Sequence, residues 1–273
     1  MKYGYCTGFS TNPHFLLGDN LLPMIKEAGF DFVEFPLMTF CNMTDSEFGN
    51  LVENVKRNGL AGPSACNFFP DSIKLVGKDV DFEKIKRYLD VVLRRCDALG
   101  IRKLILGSGA ARTFGTDQTK EDASEQFVEL LRNVILPETK KYSMTVCIET
   151  LSKNLCNLGI SLAEGLELVN RVEDKNCSLM ADLHHMMNNA EPIDSLNQCI
   201  DYIRHIHIAG ANRRVPEQSD EYIYCALARL KELGYDDSVS FETELPSENV
   251  NLRKILESVK VALEGTSESS LQG

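Results

Sequence analysis

Residues 145–149, Thr-Val-Cys-Ile-Glu, make a short apolar run that stops on an acid. Three later runs also stop on a group able to bind a metal: Ser-Leu-Met-Ala-Asp at 178–182, His-Ile-His at 205–207 and Ser-Val-Ser-Phe-Glu at 238–242. The end points Glu149, Asp182, His207 and Glu242 are 33, 25 and 35 residues apart, each gap about one strand-plus-helix unit. Outward from them the same unit recurs, giving eight expected strands: 3–8, 31–36, 60–66, 102–107, 144–149, 177–182, 204–209 and 239–242. Eight strands alternating with helices predict a parallel sheet closed into a single (β/α)8 TIM barrel over residues 1–264, with an open doubly wound sheet as the alternative. The polar stretch 265–273 is expected to fray as a flexible C-terminal tail.

Helix ends are written in the same residues. Thr44-Asp-Ser-Glu47 and Ser161-Leu-Ala-Glu164 each place a hydroxyl three residues before a glutamate, the pattern of a reciprocal cap. Phe82, Ile85, Leu89, Val92, Cys96 and Leu99 share one helical stripe, and Gly100 supplies a left-handed stop. A last helix is expected to begin at Ser247 after Pro246 and to turn Leu252, Ile255, Val259 and Leu263 inward.

Composition narrows the function. The 273 residues are 43% hydrophobic and 25% charged, enough to bury a large core. A net charge of −11 opposes binding to a phosphate backbone, so nucleic acid is not an expected partner. No basic leader precedes the first strand and no apolar run approaches about 18 residues, so no membrane association is expected. The nine cysteines have no paired spacing and read as reduced core thiols, which points to the cytoplasm.

In a barrel, the four end points meet on the rim where catalytic groups gather. A lone strand-end acid is as often a helix cap or a salt-bridge partner, but four at unit spacing are harder to dismiss. Three carboxylates in one place need a cation, and with one imidazole they suit Mn²⁺, with Mg²⁺ or Co²⁺ as alternatives. One divalent metal ion held by Glu149, Asp182, His207 and Glu242 is therefore expected. His185, three residues past Asp182, and Arg213, six past His207, lie within reach of a ligand, as does Arg214. Cys66 and Asn67 close the third strand and complete the expected substrate contacts. Phe68, Phe69 and Phe9 could form an apolar wall. Gly107 to Arg112, Gly-Ser-Gly-Ala-Ala-Arg, could offer amides and a guanidinium to a phosphate. His205 shares the parity of His207 and reads as a core histidine with a hydrogen-bonded partner.

With these residues in place, the chain resembles the xylose-isomerase-like superfamily of sugar phosphate isomerases and epimerases, nearest to the ketose 3-epimerases. The resemblance is carried by Ile-Glu149-Thr, Ala-Asp182-Leu-His-His, His-Ile-His207-Ile-Ala-Gly-Ala-Asn-Arg-Arg and Ser-Phe-Glu242-Thr. It implies a small-molecule sugar substrate, Glu149 and Glu242 as both ligands and proton carriers, His185 and Arg213 as substrate contacts, and a homodimer or homotetramer. One position departs: Leu155 stands where those epimerases carry a further substrate-contacting glutamate. Three rival readings remain: lyase or dehydratase action on an inosose or 3-keto-glycoside, apurinic endonuclease activity, and a non-catalytic sugar sensor.

Overall fold

The computed structural model describes residues 1–7, 21–244 and 251–264. Eight parallel strands close into one barrel in sequence order: β1 Lys2–Cys6, β2 Phe32–Pro36, β3 Ser64–Cys66, β4 Lys103–Leu106, β5 Thr145–Glu149, β6 Cys177–Asp182, β7 Ile203–Ile208 and β8 Ser238–Phe241. β1 seals the ring by pairing with β8, Gly4 opposite Ser240. Eight principal helices follow the strands: α1 Leu21–Ala28, α2 Asp45–Asn58, α3 Phe82–Leu99, α4 Lys120–Leu130, α5 Leu162–Val172, α6 Leu183–Asn188, α7 Glu221–Glu232 and α8 Leu252–Glu264. The expected closed barrel is the one found. β3 is shorter than expected, because its ladder to β4 begins only at Ser64.

Strand parity divides the molecule into two cores. Residues facing the helices, such as Leu104, Val146, Leu179 and Ile206, join one continuous apolar layer. The alternate positions fill the lumen, and five of them, Cys6, Cys66, Ile105, Cys147 and Met180, form a separate cluster. Glu34, Ser64, Ser178, His205, His207 and Ser240 share the lumen and are buried. Thiols and hydrogen-bonded polar groups thus replace much of the branched aliphatic filling usual in such barrels.

The helix signals hold with local differences. Thr44 and Glu47 form the full reciprocal cap of α2, whereas Ser161 caps α5 while Glu164 reaches back to the amide of Ile160. α3 ends on Gly100 at φ 77°. Its first residue, Phe82, is half exposed rather than on the buried stripe, since the first turn projects beyond the layer. α8 buries Leu252, Leu256, Val259 and Leu263, with Ile255 only partly covered. The expected start at Ser247 and the tail 265–273 lie outside the described residues. Glu264 at the end of α8 accepts a hydrogen bond from the Tyr3 hydroxyl of β1 at 2.7 Å.

Candidate functional site

Each strand-end residue is set in place by its own neighbourhood. Asp182 ends β6 and caps α6: its Oδ1 accepts from the amides of His184 (2.7 Å) and His185 (3.1 Å), which leaves Oδ2 for the rim. Cap and rim contact thus coexist in one carboxylate. Glu149 lies against Gly107, where a Cβ would stand 2.1 Å from its Oε2. His207 on β7 faces both glutamates, with Nδ1 3.6 Å from Glu149 Oε1 and 3.5 Å from Glu242 Oε2. One ligand atom from each of Glu149, Asp182, His207 and Glu242 fits within 4.8 Å of the others.

Arg213 and His185 join this cluster. Arg213 Nη1 donates to Asp182 Oδ2 at 2.8 Å and to Glu242 Oε2 at 2.7 Å. Its Nη2 is 2.7 Å from His185 Nε2. A guanidinium only donates, so His185 Nε2 accepts there and its Nδ1–H donates to Ser152 Oγ at 2.7 Å. Arg213 reaches the cluster from a tight turn in which Asn212 and Arg213 both adopt positive φ, 54° and 57°.

Electrostatics follow burial. Burial raises the Glu149 carboxyl above its ordinary value, and the Glu242 charge adds to the rise against His207. Burial also works against ionisation of Asp182 and Glu242, but for Asp182 the Arg213 charge wins and holds it well down. For Glu242, Arg213 and His207 do the same. Burial opposes charging of the His207 ring, yet the carboxylates of Glu34 and Glu242 lift its affinity for a proton well above the usual level. Among the described residues, however, the buried His207 Nδ1 has no hydrogen-bond partner and is aimed among carboxylates. An orphaned nitrogen beside three oxygen ligands fits a hard divalent ion, which would take the proton's place.

A cavity of about 520 Å³ opens above the cluster. Glu149, Glu242, His185, Arg213 and Asn67 line it, while Asp182 and His207 do not reach its wall. Phe69, Leu151 and Leu155 give it an apolar side. Cys66 is fully buried below, its Sγ 3.2 Å from Cys6 Sγ, and is not part of the wall. The Arg112 guanidinium is also withdrawn from any ligand: it is fully buried and donates to the carbonyls of Gly107 and Glu149, joining the ends of β4 and β5. That corrects the guanidinium part of the expectation for residues 107–112, while Gly107, Ser108, Gly109 and Ala110 line the cavity. Arg214 pairs with Asp220, away from the cluster. Phe9 lies outside the described residues.

Three participants were not read from the sequence. Ser152 orients His185, and His184 lines the cavity with Nδ1 2.9 Å from the Gly210 carbonyl. Glu34 on β2 contacts both His205 and His207 from within the lumen. A charged residue inside the apolar run Phe-Val-Glu-Phe was its available signal, since strands buried on both faces are otherwise apolar.

Barrel and rim cluster together define a (β/α)8 protein whose chemistry would sit at the C-terminal ends of its strands. The chain belongs to the xylose isomerase-like TIM barrel family, whose family model matches residues 22–263. It is 24% identical to D-psicose 3-epimerase of Ruminiclostridium cellulolyticum over 229 residues, 80% of this chain and 75% of the relative. It is 26% identical to 3-dehydroshikimate dehydratase of Bacillus anthracis over 220 residues, 76% of this chain and 71% of that protein. The solved structure of D-psicose 3-epimerase with D-tagatose from Clostridium cellulolyticum superposes with a TM-score of 0.81 at 19% identity, covering 97% of this chain and all of the other.

Proposed function

We propose that this chain is a divalent-metal-dependent sugar epimerase or isomerase acting on a ketose or keto-sugar by proton transfer. The observation that carries the reading is the convergence of Glu149 and Glu242, from β5 and β8, at the wall of the cavity, each facing Nδ1 of His207 beneath it. Glu149, Asp182, His207 and Glu242 would hold the ion, with Mn²⁺ the best match to three carboxylates and an imidazole. Such an ion supplies positive charge that polarises a sugar carbonyl and acidifies the neighbouring C–H.

The chain's own residues do the rest. Glu149 and Glu242 approach from separate strands, so one carboxylate can remove a proton while the other, protonated, supplies its own to the opposite face of the same carbon. Return to the next carbon gives isomerisation instead. Arg213 brings guanidinium donors toward the substrate's oxygens, His185 presents its Nε2 edge at the wall, and Asn67 adds a polar group there. The relative named D-psicose 3-epimerase, matched over four fifths of the chain, supports this class. The dehydratase relative supports a second reading in which the same proton removal is followed by loss of a β-hydroxyl.

The proposal extends to a small-molecule sugar substrate rather than nucleic acid. Among the described residues no helix is long and apolar enough to cross a membrane. All nine cysteines are unbridged, which supports a reducing compartment such as the cytoplasm. A homodimer or homotetramer is proposed on family resemblance. The deciding experiment incubates the Mn²⁺-loaded protein with ketoses, keto-glycosides and inososes in D2O. Deuterium entering the carbon beside the carbonyl, with an epimer or isomer as product, supports the reading. Turnover without solvent label would replace proton transfer by hydride transfer, and loss of water would select the dehydratase.

A further inference from the structure

Glu34 is fully buried in the lumen and meets four donors. Its Oε2 takes hydrogen bonds from Ser64 Oγ at 3.0 Å, from His205 Nε2 at 2.9 Å and from Ser240 Oγ. Its Oε1 stands 3.1 Å from His207 Nε2, on the side of the ring turned away from Glu149 and Glu242. An ionised carboxylate can only accept, so the nitrogen facing it must carry a proton, since two lone pairs at this distance would repel. The other ring nitrogen, Nδ1, then points at the rim acids, with no hydrogen-bond partner among the described residues.

We propose that Glu34 is the positioning residue of the candidate metal centre: by accepting the Nε2 proton of His207 it fixes the ring and presents Nδ1 as the ligating atom. His205 is held apart from this task, because its Nδ1 is anchored 2.8 Å from Ser238 Oγ. His207, in contrast, meets Glu34 at its Nε2, the one hydrogen-bonding neighbour there among the described residues. An acidic partner behind a ligating imidazole sets its orientation and raises its basicity, and losing such a partner costs about 10–100-fold in metal affinity.

The inference rests on the rim cluster holding an ion, and one titration separates the two. Metal-stripped protein is titrated with Mn²⁺, and free Mn²⁺ is read by its electron paramagnetic resonance signal. Failure of wild type to bind one Mn²⁺ per chain sinks the metal centre itself. If wild type binds, Glu34→Gln should bind about 10–100-fold more weakly, whereas Ser64→Ala, which removes a Glu34 contact without touching His207, should stay within about threefold. In a His207→Asn background, Glu34→Gln should cost almost nothing more, because its effect passes through the imidazole. Wild-type affinity in folded Glu34→Gln, or an undiminished loss in the His207→Asn background, overturns the assignment. Should Glu34→Gln fail to fold, ¹⁵N-histidine spectra of Mg²⁺-loaded wild type decide. A proton on Nε2 of His207 agrees with the proposal, and a proton on Nδ1 refutes it.

Discussion

Replacing Glu149 or Glu242 by Gln keeps an oxygen donor and removes the basic carboxylate. Solvent-deuterium exchange into substrate should therefore fall about 10²-fold or more in either variant. Bound metal measured in the same samples distinguishes a lost proton carrier from a lost ligand, and wild-type exchange at full metal occupancy would reduce that residue to a ligand. A second prediction concerns Glu191, which is not among the residues of the cluster. Burial raises its carboxyl above the ordinary 4.5, against the Leu162 amide that donates to it at 2.8 Å. The folded state thus holds the proton where the unfolded chain has lost it, so this group costs stability increasingly as pH rises from 4.5 through the folded value. Glu191→Gln, which stays neutral, should gain on wild type in urea unfolding as pH rises above 4.5, and a pH-independent difference would contradict this. At this scale the sequence was readable where a member of the rim cluster coincided with a strand end, as at Glu149, Asp182, His207 and Glu242. It was silent at Ser152, whose role depends on a histidine 33 residues away.

Among elements, the ends of β4 and β5 are fitted to each other. Gly107→Ala would drive a Cβ into the Glu149 carboxylate, and that side chain cannot withdraw without leaving the cluster. The variant should fold, since the position follows the strand, yet lose Mn²⁺ affinity by at least about tenfold, close to the loss from Glu149→Ala itself. Unchanged affinity would mean that Glu149 has another rotamer able to serve. At the other extreme, Thr44→Ala removes a solvent-exposed cap from α2 and should cost about 1 kcal/mol in chemical denaturation without altering exchange. Strands and caps were legible because their signals are local: apolar runs, hydroxyl-to-glutamate spacing and Gly100. Phe82 misled because helical periodicity cannot say how far a first turn projects past its neighbours. Arg112 misled for a related reason. A glycine-rich segment ending in arginine resembles an anion loop until packing turns the guanidinium inward.

For the whole molecule, charge sets a limit on partners. With a formal net charge of −11, the chain should not nick an abasic DNA duplex even at low salt, because cationic contacts are needed to release counterions. Metal-dependent nicking abolished by Asp182→Asn would reverse the proposed substrate class. Barrel closure was legible from eight repeats, whereas the polar lumen was not, because parity shows which residues face inward but not how they pair. The hydrogen bond between Tyr3 and Glu264 carries a different consequence. It brings the opening strand and the last described helix to the same place on the circumference, so the covalent start of the ring is arbitrary. A circular permutant joining these ends by a short linker and cut in the turn around Gly234, on the face opposite the candidate site, should assemble the same barrel and bind Mn²⁺ as the parent chain does. Such a chain would place its new termini where a fused partner or a surface tether would leave the cavity open to substrate.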